Sequence, residues 1–136
     1  MPTDATLALG SGEVGLLELT AAYAPFFNGG FRVTPFAVEP QEAPEPVIRP
    51  EHAAMMAGMM ASVVNRGTGK AAAIPGRAVA GKTGTTSDYR DAWFIGSVNG
   101  MMIGVWMGND DNQPMKNVVG GGLPVRLFRE VAAAVR

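Results

Sequence analysis

At 136 residues and 47% hydrophobic content, the chain is long enough for one domain with its own core. Its 11 basic and 12 acidic residues give a net charge of −1 without a basic cluster, which excludes the electrostatic footprint of a nucleic-acid binder. The lack of cysteine excludes disulfides and thiolate chemistry, the single histidine (His52) excludes a histidine-rich metal site, and nothing in the composition calls for a cofactor.

Leu16 to Phe27 places Leu16, Leu19, Tyr23 and Phe27 on one helical face, and Asn28-Gly29-Gly30 supplies a stop. Pro25, in the last turn, is expected to kink this amphipathic helix or end it early. Phe31 to Phe36 then reads as a short strand. Pro35 to Pro50 holds five of the chain's 10 prolines, with Glu39, Glu42 and Glu45 between them, which predicts a surface connection without regular helix. A second helix is expected from about Glu51 to Asn65, started by Pro50 and closed at Gly67. Its apolar residues lie nearly all round, so burial on most sides is expected, with Met55, Met56, Met59 and Met60 filling the core. His52, in the first turn, is expected to be solvated.

After the loop Thr68 to Gly76, Ala78-Val79-Ala80-Gly81-Lys82-Thr83-Gly84-Thr85-Thr86 is rich in β-branched residues and predicts an extended strand. A polar turn, Ser87 to Asp91, leads into a hairpin whose Asn99-Gly100 loop is a strong short-range signal. With those two residues as the loop, opposed positions sum to 199, pairing Trp93 with Trp106, Phe94 with Val105, Gly96 with Ile103 and Val98 with Met101. Both faces of that sheet are then largely apolar, so helices are expected on each. Asn109 to Gly122 is a polar, glycine-rich loop. A last helix from about Leu123 to Arg136 aligns Leu127, Phe128, Val131 and Val135 as a packing stripe. No apolar run approaches the length of about 18 residues that a membrane helix needs, and the N-terminus lacks a signal pattern, so the chain is expected to be soluble without a membrane segment.

Chemistry concentrates in Gly81-Lys82-Thr83-Gly84-Thr85-Thr86, where a cation, hydroxyls and exposed amides share six positions. An extended segment with these groups suits a peptide ending in a carboxylate. The same residues also suit a plain edge strand, since lysine blocks edge-to-edge pairing and threonine is a good strand former. Gly76 to Thr83 fits the phosphate-loop pattern G-x-x-x-x-G-K-[ST] at every fixed position. Its context argues otherwise, because Pro75 precedes the first glycine and Gly84-Thr85-Thr86 is a poor helix opening. None of Ser11, Ser62, Ser87 or Ser97 has a lysine three residues on, so a Ser-x-x-Lys nucleophile is absent from the chain. Ser97-Val98-Asn99 matches Ser-x-Asn formally, but it falls at the hairpin tip and reads as coincidence.

Several segments together resemble the transpeptidase domain of class A penicillin-binding proteins of the bifunctional peptidoglycan-synthase type. They are Leu7-Ala8-Leu9-Gly10-Ser11 with Glu13-Val14, Asn28-Gly29-Gly30, Gly67-Thr68-Gly69, Lys82-Thr83-Gly84-Thr85-Thr86, Asp91-Ala92-Trp93-Phe94-Ile95-Gly96, Gly104-Val105-Trp106-Met107-Gly108-Asn109-Asp110-Asp111 and Gly120-Gly121-Gly122-Leu123-Pro124. Of the superfamily's three motifs, only Lys-Thr-Gly is present.

The resemblance implies an α+β fold, a five-stranded antiparallel sheet flanked by helices, of which residues 1–136 form the incomplete C-terminal portion. It implies that Lys82 holds the Ser-x-Asn hydroxyl and shuttles a proton, and that the Thr85 N–H is an oxyanion-hole donor. Thr83, Gly84, Thr85 and Thr86 would line the site for a peptidoglycan stem peptide ending in D-Ala-D-Ala, or for a β-lactam. It further implies an extracytoplasmic or periplasmic location, in a parent protein anchored to the cytoplasmic membrane. Without the nucleophile, the chain alone is expected to be inactive and to bind no penicillin covalently. It is also expected to expose a sheet edge that pairs with the missing N-terminal part or with itself. The rival readings are a non-catalytic peptide-binding or scaffolding module of the same fold and, more distantly, a nucleotide binder.

Overall fold

The computed structural model describes residues 12–37 and 43–135. Leu7 to Ser11, the part of the proline-rich connection holding Glu39, Pro40 and Glu42, and Arg136 lie outside the described residues.

The first helix, α1 (Leu16–Tyr23), begins where the Glu18 carboxylate accepts the Gly15 N–H at 3.2 Å, half of a capping box. It ends early, as Pro25 requires, and tightens into a 3-10 turn over Ala24–Phe26. Burial raises the Tyr23 phenol above its ordinary value, because the phenolate would lose its water. The expected strand Phe31 to Phe36 does not form and survives only as an isolated bridge between Phe31 and Pro46. The physical reason lies in its partner segment, where Pro44 and Pro46 have no N–H for a ladder.

Helix α2 (Pro50–Arg66) starts on Pro50 and closes with the Gly67 N–H on the Val63 carbonyl. Its buried residues Ala53, Met60 and Val64 form a single stripe, which corrects the expectation of burial on most sides. Met55 and Met59 are 67% and 57% exposed and do not fill the core.

Three strands, β1 (Val79–Thr85), β2 (Asp91–Val98) and β3 (Met101–Gly108), make one antiparallel sheet in the order β1-β2-β3. The β2–β3 register pairs Trp93 with Trp106, Phe94 with Val105, Gly96 with Ile103 and Val98 with Met101, as the Asn-Gly loop predicts. Asn99 and Gly100 both adopt positive φ, at 50° and 82°, the backbone of a tight hairpin turn. The described residues contribute three strands where the resemblance implies five.

Opposed residues share a face, so Val79, Phe94, Val98 and Val105 line one side of the sheet. There they meet Val64 of α2, Ala72, and Val125, Phe128 and Ala132 of α3 (Leu123–Ala134) to form the core. The Phe94 and Phe128 rings pack edge to face with centroids 4.8 Å apart. The stripe of α3 is therefore Val125, Phe128 and Ala132, whereas Leu127 and Val131 face solvent, contrary to expectation. Arg77 fixes the far end of this helix by donating from Nη1 to the carbonyls of Ala132 and Val135 at 2.6 and 2.8 Å. On the opposite face α1 crosses β3 at Gly104, where any β-carbon would overlap the Thr20 hydroxyl. Helices thus cover both faces, and the fold is α+β.

Candidate active-site strand

Strand β1 is a sheet edge, and its register decides which of its groups face outward. Val79 pairs with Val98 and Thr85 with Ala92, and one step further the Thr86 N–H donates to the Asp91 carbonyl at 3.0 Å. Backbone groups of an antiparallel strand point alternately toward and away from the neighbouring strand. If position 86 bonds inward, positions 84 and 82 do also, and the N–H and C=O groups of Thr83 and Thr85 point away from β2. Side chains alternate on a second axis. Thr83 and Thr85 lie on the face of Phe94, while Lys82 and Gly84 lie on the face of Trp93 and Ile95.

Each residue singled out from the sequence has a defined setting. Lys82 is exposed, and its ammonium donates to the carbonyl of Thr83, bending over the free edge. Thr83 is half-buried, with its hydroxyl 2.8 Å from the hydroxyl of Thr68. Thr85 is exposed, and its hydroxyl accepts the Gly120 N–H at 3.0 Å. Gly84 sits opposite Trp93 and against Gly120, whose own β-carbon, were it present, would lie 2.6 Å from the Trp93 carbonyl and 2.8 Å from the Gly84 nitrogen.

Thr86 is set apart from the others. Its hydroxyl accepts the Asp91 N–H at 2.8 Å and donates to the Asp91 carboxylate at 3.1 Å. The other carboxylate oxygen of Asp91 accepts the Trp106 indole N–H at 2.8 Å, so Thr86 belongs to a knot closing the β1–β2 connection. Lys82, Thr83, Gly84 and Thr85 gather at one edge, and Thr86 turns its hydroxyl inward. Thr68 and Gly120 join the site without having been singled out, although both stand in glycine-flanked motifs, Gly67-Thr68-Gly69 and Gly120-Gly121-Gly122.

Lys82 and Thr83 lie inside a strand, and the connection after β1 holds only a 3-10 turn, Ser87–Tyr89. A phosphate loop needs those residues at the opening of a helix, so the nucleotide-binding alternative is excluded on geometry. Ser97 is buried within β2 with Asn99 in the turn, consistent with a chance Ser-x-Asn match.

Residues 3–129 match the family model of the penicillin binding protein transpeptidase domain. Penicillin-binding protein 1A of Neisseria meningitidis serogroup A is 36% identical over 141 aligned positions, covering 90% of this chain and 18% of that protein. Penicillin-binding protein 1A of Aquifex aeolicus is 40% identical over 118 positions, covering 77% of this chain and 16% of that protein. The crystal structure of penicillin-binding protein 1A from Haemophilus influenzae superposes with a TM-score of 0.82 at 20% identity, over 98% of this chain and 28% of that one, a likeness of fold. The chain thus spans less than a fifth of the length of the curated relatives it matches. An edge strand carrying Lys-Thr-Gly, a sheet with helices on both faces and a family match over nearly the whole length agree: this chain belongs to the penicillin-binding-protein transpeptidase domain family.

Proposed function

We propose that residues 1–136 form the C-terminal portion of a peptidoglycan D,D-transpeptidase domain, and that β1 is the strand against which a stem peptide ending in D-Ala-D-Ala lies. The observation that carries this reading is the outward direction of the Thr83 and Thr85 backbone groups on an edge strand. They offer a ladder to an incoming extended peptide, which would add to the sheet as one more strand. The Thr83 and Thr85 hydroxyls bind the terminal carboxylate, and Gly84 keeps the approach open.

The reaction is acyl transfer. A serine hydroxyl loses its proton to a neighbouring lysine as it attacks the carbonyl carbon of the penultimate D-Ala. The oxyanion so formed accepts the Thr85 N–H, a type of contact worth about 3–4 kcal/mol of barrier. The C–N bond then breaks, terminal D-Ala leaves as the protonated amine, and an acceptor amine later displaces the serine. Lys82 holds the Ser-x-Asn hydroxyl in this relay, and its charge disfavours protonation of the lysine beside the nucleophile. A β-lactam follows the same first step, its ring opening onto the serine.

The serine, its lysine and the Ser-x-Asn residues are contributed from outside residues 1–136, since no serine in the chain has a lysine three residues on. The 136-residue chain by itself is therefore inactive. By its likeness to penicillin-binding proteins 1A, the whole protein acts on the cell wall outside the cytoplasm and is anchored to the cytoplasmic membrane; among the described residues no helix is long and apolar enough to cross a membrane.

Labelling with a fluorescent penicillin tests this. The intact transpeptidase carrying this chain labels stoichiometrically, and the isolated chain does not. Lys82→Ala slows labelling by about a hundredfold or more without changing thermal stability, since the side chain is exposed. Labelling of the isolated chain, or an unchanged rate in Lys82→Ala, refutes the assignment. An intact protein that takes no label but still binds stem peptide at this edge would instead be a non-catalytic module.

A further inference from the structure

We infer that Thr68 is a positioning residue which, together with the Gly120 amide, supports the Thr83 and Thr85 hydroxyls as donors toward the ligand, favouring an acceptor-only carboxylate in the site. The inference rests on the reading of β1 as a carboxylate-binding strand and adds the groups that aim it.

An amide N–H can only donate. The Gly120 N–H on the Thr85 hydroxyl oxygen therefore takes one of that oxygen's acceptor positions and leaves its proton to be directed elsewhere. Thr83 is one pleat away on the same face, with its oxygen 2.8 Å from that of Thr68, a full-strength O–H···O distance. Either hydroxyl can donate in that pair, but a carboxylate accepts only. When one lies against Thr83, the Thr83 proton goes to it, and Thr68 must donate to Thr83. The chain Thr68 to Thr83 to carboxylate then polarises along its length, each bond strengthening the next.

The structure holds Thr68 for this task. The N–H groups of Gly67 and Gly69 both donate to the Val63 carbonyl at 3.0 Å, pinning the backbone on either side. Gly69 is buried beside Phe94, and a β-carbon at Gly121 would sit 2.7 Å from the Thr68 carbonyl, so the two glycine loops meet across this residue. Its β-branched side chain has few rotamers left to search. The Thr85 hydroxyl is thus backed by a donor before a ligand arrives, and the Thr83 hydroxyl is backed by Thr68 once a carboxylate takes its proton. A terminal carboxamide, which presents two N–H donors of its own, satisfies them poorly.

The test uses the intact transpeptidase carrying this chain, with two acylated dipeptide mimics ending in D-Ala-D-Ala, one with a free carboxylate and one with a carboxamide. Each competes against fluorescent penicillin labelling. Thr68→Val is expected to weaken the carboxylate ligand by about three- to tenfold, the worth of one neutral hydrogen bond, and to leave the carboxamide ligand nearly unchanged. Thr68→Ser restores the ratio. A loop that is merely loosened lowers both affinities together and leaves the ratio intact, which overturns the inference. Thr68→Ala gives the same reading without added bulk should the valine variant fail to fold. Thr83→Val separates the two levels. If it too leaves the ratio unchanged, the carboxylate-binding reading of β1 fails; if it lowers the ratio and Thr68→Val does not, only the role of Thr68 fails.

Discussion

Asp91 uses both carboxylate oxygens, one on the Thr86 hydroxyl and one on the Trp106 indole, while its own N–H binds Thr86. One residue thereby ties the end of β1 to the start of β2 and to the far strand β3. Asp91→Ala removes both side-chain contacts and is expected to destabilise the fold by about 1–2 kcal/mol, read as a lower denaturation midpoint at constant slope. No change in the midpoint would mean that these half-exposed bonds contribute nothing. At this scale the sequence was only partly legible. Lys82, Thr83 and Thr85 could be picked out because charge and hydroxyls cluster within a few positions. Their backing groups could not, because Thr68 lies 15 residues from Thr83 and Gly120 lies 35 from Thr85. Thr86 looked equivalent to its neighbours until Asp91 was found bound to it.

Among the secondary elements, the β2–β3 hairpin was readable to the residue. Two consecutive positive-φ positions fit only a two-residue loop, and that loop fixes every pair along the ladder. Helices are less explicit. Periodicity gives an apolar stripe but not which neighbour will cover it, so α3 turned out rotated toward Val125 and Ala132. They join Phe128 in the core against Phe94, leaving Leu127 and Val131 outside. In α2 the methionines divide by position. Met60 is buried and Met59 is exposed. Met60→Ala is expected to cost about 2–5 kcal/mol, and Met59→Ala to stay within about 0.5 kcal/mol of neutral, both measured by urea unfolding. Equal effects would show that the helix faces are wrongly placed. The lost strand at Phe31 to Phe36 follows from its proline-bearing partner and from Pro35 within the run itself, which lacks an N–H and already argued against a regular strand.

For the molecule as a whole, the sheet ends on β1 at one side and on β3 at the other, and among the described residues no strand pairs with either outer edge. Trp106 and Met101 on β3 are exposed as well. An uncovered ladder beside apolar side chains pairs with whatever strand is available. The isolated chain is therefore expected to self-associate, its sedimentation coefficient rising with concentration, and addition of the nucleophile-bearing part of its domain should reverse this. A monomer at all concentrations would contradict it. A hairpin covered by helices on both faces was legible from strand and helix signals, the α+β class came with the family resemblance, and the exposed hydroxyl- and lysine-bearing strand was legible from Gly81 to Thr86. The proposed reaction rests on the run of family motifs, because no serine in the chain has a lysine three residues on.

Gly120 has a bearing on how such a protein can change over generations. A β-carbon there would overlap the Gly84 carbonyl and crowd the Trp93 carbonyl, which are main-chain atoms that cannot rotate aside. Any residue with a β-carbon is strained at this position, so the group that backs the Thr85 hydroxyl is a main-chain amide that substitution cannot exchange for another side chain.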